Sequence, residues 1–201
     1  MRVVSSSRKR VGVFGGSFNP IHCGHIALAE KLLTAASLDE LWLMLSPHNP
    51  LKQRSDLLAD ELRLRLARAA VRGVSGVSVS DYEMLLPRPS YTWNTLEHLR
   101  VDFPSLCPVL VIGADNWLLF PRWYRAADIV KSYEIVIYPR RGYEVDTLSL
   151  PHGVRLVDTP LYDISSTEVR RRVCNGESID GLVPPQIAQE VIKLYKDTLT
   201  I

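Results

Sequence analysis

The sequence predicts an α/β fold, a doubly wound parallel sheet within a single domain. Its strand-like segments are continuous apolar runs rather than alternating patterns, which is typical of strands buried on both faces. Amphipathic helical stretches separate these runs, as in a sheet that helices cover on both sides. The length of 201 residues suits one domain, and no linker divides the chain.

The first half of the chain is predicted to contain three strand–helix pairs. Residues 11–14 form a short apolar run that Gly15 and Gly16 end, and residues 24–36 show helical spacing. The second and third pairs are strand 41–45 with helix 58–71, and strand 77–79 with helix 91–101. In the helix over 58–71, leucines and alanines recur on one face and the arginines are expected on the other.

The second half continues the same alternation. Gly113 stops an apolar run at 109–112, and one helix is expected to contain both Trp123 and residues 126–129. Strands at 135–138 and 154–157 and helices at 166–174 and 185–198 follow. Ligands of such sheets bind beyond the carboxyl ends of the strands, where the strand order reverses, so the loops after residues 14, 45 and 112 are the candidate site.

The composition excludes several classes of protein. Apolar residues make up 46% and charged residues 23% of the chain, which excludes intrinsic disorder, collagen-like repeats and a coiled-coil rod. The net charge of +2 gives no broad electrostatic footprint, so neither nucleic acid nor membrane is expected as a partner. Three widely spaced cysteines argue against a disulfide framework, and we expect a cytoplasmic protein. We also expect a disordered extension at 1–9 and the domain at 10–201.

The segment from residue 15 to residue 25 is the most informative one, and it reads Gly-Gly-Ser-Phe-Asn-Pro-Ile-His-Cys-Gly-His. Its glycines let the backbone approach a ligand closely, and the helix that follows presents free amides to an anion. His22 and His25 share one face of that helix and could donate hydrogen bonds to phosphate oxygens. A dinucleotide-binding loop, a zinc site and purely structural histidines are the alternatives.

The second informative segment, 164–170, reads Ile-Ser-Ser-Thr-Glu-Val-Arg and begins a predicted helix. Helix capping explains one of the hydroxyls of Ser165, Ser166 and Thr167, but three are more than one cap requires. Arg170 follows about one turn later, within reach of the same anion. Hydroxyls, free amides and a guanidinium together suit a polyphosphate, whereas simple capping remains the alternative.

These two segments resemble the HxGH and ISSTxxR motifs of the nucleotidyltransferase superfamily, and the match is best with the nicotinate-nucleotide adenylyltransferases. Residues 89–96, 112–115, 120–124 and 140–143 are similar to further segments of that family. The resemblance implies a Rossmann-like nucleotidyltransferase fold. It also implies adenylyl transfer from ATP to nicotinate mononucleotide, giving deamido-NAD and pyrophosphate in NAD biosynthesis.

The resemblance assigns three groups of site residues. Catalysis falls to His22, His25 and Arg170. The residues expected to bind ATP and its phosphates are Gly15, Gly16, Ser17, Phe18, Lys52, Gly113, Asp115, Ser165, Ser166 and Thr167. Those expected to bind the nicotinate nucleotide are Tyr91, Thr92, Trp123, Tyr124 and Arg140. By residue type alone, Trp123 could equally pack in the core, Asp115 could cap a turn and Arg140 could lie on the surface.

The chain departs from the family pattern in three loops. Leu51 stands where the family has a histidine, although Lys52 remains available to meet phosphate and His48 is a possible substitute. Asn19 stands in a place often held by aspartate, and Arg141 replaces a usual proline. With no metal ligand predicted in the protein, Mg²⁺ is expected to be held mainly by the ATP phosphates and water.

Two other functions stay open from the sequence. One is adenylyl transfer to nicotinamide mononucleotide or another phosphorylated acceptor, and the other is a non-catalytic nucleotide-binding sensor on the same fold. The intact HxGH motif and Arg170 argue against the sensor. The oligomeric state is also open, a homo-oligomer included.

Overall fold

The computed structural model describes residues 8–47 and 57–198. The strands in these ranges are β1 (Lys9–Gly16), β2 (Glu40–Leu45), β3 (Val77–Ser80), β4 (Leu106–Gly113), β5 (Glu134–Tyr138) and β6 (Val154–Leu156). The helices are α1 (Cys23–Ala35), α2 (Asp60–Ala70), α3 (Thr92–Asp102), α4 (Ala114–Leu119), α5 (Ala126–Ser132), α6 (Ser166–Cys174) and α7 (Pro185–Thr198). None of the helices described is long and apolar enough to span a membrane.

The six strands form one sheet in the order β3-β2-β1-β4-β5-β6, and all neighbours are parallel. This confirms the predicted doubly wound α/β fold. From β1 the chain builds outward through β2 and β3, and then crosses to β4 on the other side of β1. The strand order therefore reverses between β1 and β4, and the carboxyl ends of these two strands border the candidate site.

A hydrophobic core lies on each face of the sheet. Successive residues of β1 point to opposite faces, so Phe14 belongs to one core and Val13 to the other. Helices α1, α2, α6 and α7 pack on the Phe14 side, whereas α3 and α5 pack on the Val13 side. Burial of each large apolar side chain contributes about 1.5–3 kcal/mol, which explains why the strand segments are continuous apolar runs.

The predicted elements differ from the structure at two main points. The helix expected to contain Trp123 is divided, because α4 ends at Leu119, a 3₁₀ turn covers Phe120–Arg122 and Trp123 has extended backbone. Pro121 has no N–H to continue the helix, and Arg125, in the left-handed conformation (φ 56°), redirects the chain into α5. In addition, β1 begins at Lys9, inside the stretch assigned to the extension, while residues 1–7 lie outside those described.

Candidate active site

His22 and His25 hold each other in place at the start of α1. His22 is the N-cap residue, and the Nδ1 atom of each ring accepts a hydrogen bond from the backbone N–H of the other residue, at 3.3 Å in both cases. The two rings stack with their centroids 3.5 Å apart. Since Nδ1 is an acceptor in both rings, a neutral ring carries its hydrogen on Nε2. Each neutral ring thus keeps an Nε2–H group that can donate a hydrogen bond, and both residues line the same cavity.

The protein keeps these two rings uncharged. Burial, assisted by the charge of Arg140, lowers the pKa of His22 from 6.5 to about 3. Burial also lowers the pKa of His25 well below its ordinary value, with further contributions from His22 and Arg140. Near neutral pH, therefore, the free protein offers a bound phosphate two N–H donors rather than two positive charges.

Gly24 stands between the histidines for a steric reason. A Cβ atom at this position would lie 3.1 Å from His22 Nδ1 and 3.3 Å from the Cβ of Tyr162. Any side chain would therefore press on the ring that forms the helix cap. On the other side of the pair, Phe18 adopts a positive φ of 43° and packs edge-on against His25, with ring centroids 5.0 Å apart.

Helix α6 begins directly against the turn that follows β1. Ser166 Oγ donates to the carbonyl of Pro20 at 2.8 Å, and Arg170 Nη1 donates to the carbonyl of Asn19 at 2.7 Å. Ser165 is the N-cap residue, whose hydroxyl accepts from the N–H of Glu168 at 3.1 Å. The two segments singled out in the sequence are thus neighbours in space, and capping explains one of the three hydroxyls.

Asn19, which stands in the place of the family's aspartate, uses its side chain to connect segments of the fold. Its side chain is buried, and its Oδ1 atom accepts from the Tyr195 hydroxyl at 2.6 Å and from the N–H of Leu58 at 3.2 Å. Its carbonyl, in contrast, receives Arg170. Asn19 therefore links α7 and the start of α2 to the turn after β1.

Asp115 lies in the first turn of α4, just beyond the carboxyl end of β4. Its Oδ1 atom is 3.5 Å from Arg140 Nε, and this buried oxygen has no hydrogen-bond partner among the described residues. A Cβ atom at Gly113 would lie 2.3 Å from that oxygen and 3.2 Å from Arg140, so glycine is what allows the carboxylate to fold back over the strand end. A carboxylate oxygen without a donor suits a hydroxyl of a ligand.

A cavity of about 420 Å³ lies between the histidine pair, Asp115 and the N-cap residue of α6, and we call it the donor cavity. Its polar lining includes His22, His25, Asp115, Arg140 and Ser165. Arg140, which the family resemblance assigns to the nicotinate nucleotide, thus lies on the donor cavity beside Asp115. Arg141 and Asp163, also on its lining, form an exposed ion pair at 2.6 Å.

A second cavity, of about 160 Å³, lies between the ends of β1 and β4 and helix α3, and we call it the acceptor cavity. Thr92 and Trp123 line it together with Gly15, Gly113 and Glu83. Tyr91 and Tyr124 are the chain neighbours of Thr92 and Trp123, and their half-exposed rings lie against each other with centroids 4.8 Å apart. The predicted Lys52, with His48 and Leu51, lies outside the described residues.

Arg63 corrects the prediction that the arginines of α2 lie on the outer face, because its side chain is fully buried. It donates to the carbonyls of Leu58 and Ser46, both at 3.1 Å, to the carbonyl of Ser17, and to Asp60 at 2.6 Å. Helical spacing could not show that loop carbonyls lie against that face. The one available signal is Asp60, three residues earlier, which is the spacing of a helical ion pair.

Comparison with known proteins adds independent findings. The sequence model of the cytidylyltransferase-like family matches residues 13–172. A Bacteroides fragilis protein named "Probable nicotinate-nucleotide adenylyltransferase" is 44% identical over 187 residues, which cover 93% of each chain. A protein of the same name from Bacteroides thetaiotaomicron is 42% identical over 200 residues, covering 100% of this chain and 99% of the relative.

Solved structures share the fold. The nicotinic acid mononucleotide adenylyltransferase of Plasmodium falciparum, in complex with NaAD, superposes with a TM-score of 0.79 at 19% identity. The match covers 96% of this chain and 100% of that one. At this level of identity the likeness concerns the arrangement of the chain.

Proposed function

The chain belongs to the cytidylyltransferase-like family and, within it, to the nicotinate-nucleotide adenylyltransferases, and from this premise we propose its reaction. It transfers the adenylyl group of ATP to nicotinate mononucleotide, forming deamido-NAD and pyrophosphate. An oxygen of the acceptor's 5′-phosphate bonds to the α-phosphorus of ATP. The bond from that phosphorus to the bridging oxygen breaks, and the electron pair leaves with pyrophosphate.

One observation carries this proposal: the start of α6 is hydrogen-bonded to the turn after β1. Ser166 and Arg170 donate to the carbonyls of Pro20 and Asn19, which lie two and three residues before His22 in the chain. A single triphosphate in the donor cavity can therefore meet the His22 and His25 donors at one end and α6 at the other. Both reactants are anionic, so the protein acts by positioning them and stabilising charge rather than by supplying a nucleophile.

The proposed roles follow from the chemistry of the donor cavity and of the start of α6, which reaches the cavity through Ser165. The Nε2–H groups of His22 and His25 donate to the α-phosphate, where negative charge shifts in the transition state. Arg170 and the hydroxyls of the α6 start hold the leaving phosphates, and Asp115 accepts from the adenosine ribose. These hydrogen bonds act in a partly buried site, where each is stronger than in water.

Mg²⁺ belongs to this proposal as an ion carried by the nucleotide. The carboxylates on the donor cavity, Asp115 and Asp163, are ion-paired with Arg140 and Arg141. Phosphate oxygens and water are then its main ligands, as is usual for Mg²⁺. When bound, the ion neutralises charge on the departing pyrophosphate.

The acceptor cavity suits a pyridine ring that carries a carboxylate. Trp123 offers an aromatic face, and Thr92, the first helical residue of α3, brings the helix N-terminus to the cavity. Tyr91, the N-cap residue, makes no side-chain hydrogen bond to the first turn within the described part of the chain. The free amides and the helix dipole favour an anion there, and hence the acid over the amide.

A pyrophosphate-release assay tests this function. The protein is incubated with ATP and Mg²⁺, and with nicotinate mononucleotide, nicotinamide mononucleotide or no acceptor. We expect equal amounts of pyrophosphate and deamido-NAD with the acid nucleotide, and a kcat/KM at least about tenfold lower with the amide. Nucleotide binding without pyrophosphate release would contradict the proposal and favour the sensor.

The proposal includes a cytoplasmic location, because substrates this highly charged do not cross membranes unaided.

A further inference from the structure

Glu83 is a buried carboxylate that the proposed chemistry does not use. It lies in the 3₁₀ turn Tyr82–Leu85 after β3, and its residue surface is only 9% exposed. Its oxygens accept hydrogen bonds from three hydroxyls: Ser46 Oγ at 3.0 Å, Thr95 Oγ1 at 3.4 Å and Ser90 Oγ. Burying a carboxylate is costly unless its lone pairs are occupied, so these donors are what make the position tolerable.

The first donor, Ser46, connects Glu83 to the turn after β1. Ser46 directly follows β2, and its backbone N–H donates to the carbonyl of Gly16 at 2.9 Å. Its carbonyl accepts from the buried Arg63, which also binds the carbonyl of Ser17. A continuous set of hydrogen bonds thus runs from Glu83 to the backbone of the turn after β1.

The other two donors connect Glu83 to the start of α3. Ser90 precedes Thr92 by two residues, and Thr95 lies one helical turn after Tyr91, whose carbonyl accepts its N–H at 3.1 Å. One carboxylate therefore holds the chain on both sides of Thr92. Glu83, Ser46, Thr92 and Thr95 all line the acceptor cavity, and none of the three donors lines the donor cavity.

We propose that Glu83 is a positioning residue for the acceptor nucleotide. Its carboxylate fixes the start of α3 against Ser46, and so holds the pyridine-binding wall in register with the turn that binds the ATP phosphates. This inference rests on the proposed function, since it assumes that the acceptor cavity takes nicotinate mononucleotide. Loss of the carboxylate loosens the acceptor side and leaves the donor cavity intact.

The test compares Glu83→Ala with the isosteric Glu83→Gln. We expect Glu83→Ala to raise the KM for nicotinate mononucleotide at least about tenfold, because three buried hydroxyls lose their common acceptor, while the KM for ATP stays within about twofold. In Glu83→Gln the amide oxygen still accepts, and the amide NH₂ can donate to a hydroxyl that rotates, so the rise is expected to be about threefold or less. Thermal unfolding of each variant checks that it is folded.

A matched control separates positioning from a general loss of stability. Glu97 on α3 is another carboxylate that accepts from a side-chain hydroxyl, in this case that of Tyr133, and it lines neither cavity. We expect Glu97→Ala to leave both KM values within about twofold of wild type.

A double variant tests whether Glu83 and Ser90 act together. Glu83→Gln combined with Ser90→Ala should raise the KM for nicotinate mononucleotide by less than the product of the single effects, because the two residues share one interaction.

A binding measurement makes the inference independent of turnover. Tryptophan fluorescence is titrated with nicotinate mononucleotide alone and with ATP alone, and Glu83→Ala is expected to weaken only the first. A folded Glu83→Ala variant that binds both nucleotides as wild type does, or loses both equally, overturns the proposal for Glu83. If wild type binds the mononucleotide but releases no pyrophosphate, the proposed function fails while the Glu83 comparison is still decided by binding. If wild type releases pyrophosphate but binds the mononucleotide only with ATP present, the KM comparison decides the role of Glu83. If wild type neither binds the mononucleotide nor releases pyrophosphate, both proposals are wrong.

Discussion

The donor and acceptor cavities lie side by side at the point where the strand order reverses, yet they are built differently. The donor cavity, about 420 Å³, is lined by imidazoles, arginines and carboxylates from the starts of α1 and α4, the loop after β5 and the segment before α6. The acceptor cavity, about 160 Å³, is lined by a tryptophan, by hydroxyls and by the buried, hydrogen-bonded carboxylate of Glu83. The donor side thus suits charge and the acceptor side suits a planar ring.

The two cavities also differ in what holds them. On the donor side, α6 and the turn after β1 are joined by hydrogen bonds from Ser166 and Arg170 to backbone carbonyls. On the acceptor side, one buried carboxylate accepts from three hydroxyls, one just after β2 and two around the start of α3. The difference indicates that single substitutions should affect one substrate at a time, and the following predictions test that separation from the largest expected effect to the smallest.

The largest effect is expected at His25, on the donor side. In His25→Asn, the short side chain can keep the acceptor position of Nδ1 in the helix cap but loses the Nε2–H donor. We expect kcat to fall at least about 100-fold with a much smaller change in KM, as for loss of a transition-state hydrogen bond. Steady-state kinetics and thermal unfolding check this together. An unchanged kcat in the folded variant would remove His25 from the proposed chemistry.

The next effect concerns the uncharged state of the histidines. The folded pKa of His22 is about 3 and that of an unfolded histidine about 6.5, so between these values the unfolded chain binds more protons. The stability associated with neutral His22 is complete above pH 6.5 and falls as the pH drops toward 3. Urea unfolding should show that acidification from pH 7 to 4.5 costs wild type on the order of 2 kcal/mol more than His22→Asn. Equal pH dependence in both proteins would mean that His22 titrates normally.

On the acceptor side, Trp123→Ala is expected to raise the KM for nicotinate mononucleotide about tenfold, because the ring loses its stacking surface. The KM for ATP should change little, and Trp123→Phe should recover part of the loss. Equal losses for both substrates would show that Trp123 stabilises the fold rather than binding the pyridine ring. They would also argue against separate effects on the two cavities.

The smallest effect is expected at Arg141, which replaces the family's proline. Its ion pair with Asp163 has both side chains more than two-thirds exposed, and such pairs contribute less than about 1 kcal/mol. Arg141→Ala should therefore change the KM for ATP by less than about twofold at physiological salt. A larger change that disappears at high salt would instead indicate that Arg141 contributes to the charge of the donor cavity.

Much of this protein is determined by the sequence itself, because the underlying interactions are local. Short apolar segments predicted the six strands of the parallel sheet. The glycine turn before His22 and the hydroxyls at the start of α6 predicted which loops border the candidate site. Stacking and mutual capping of His22 and His25 join residues only three apart, so these interactions depend on the HxGH motif itself.

Tertiary structure alone decided the rest, because it depends on residues that are distant in the chain. Arg63 is buried only because the carbonyls of Ser17 and Ser46 lie against α2, and helical spacing carries no information about them. Glu83 becomes a shared acceptor only when Ser46 and Thr95 meet it. Local patterns reveal which residues can cap, turn or line a strand end, whereas the partners of a buried charge are set by packing.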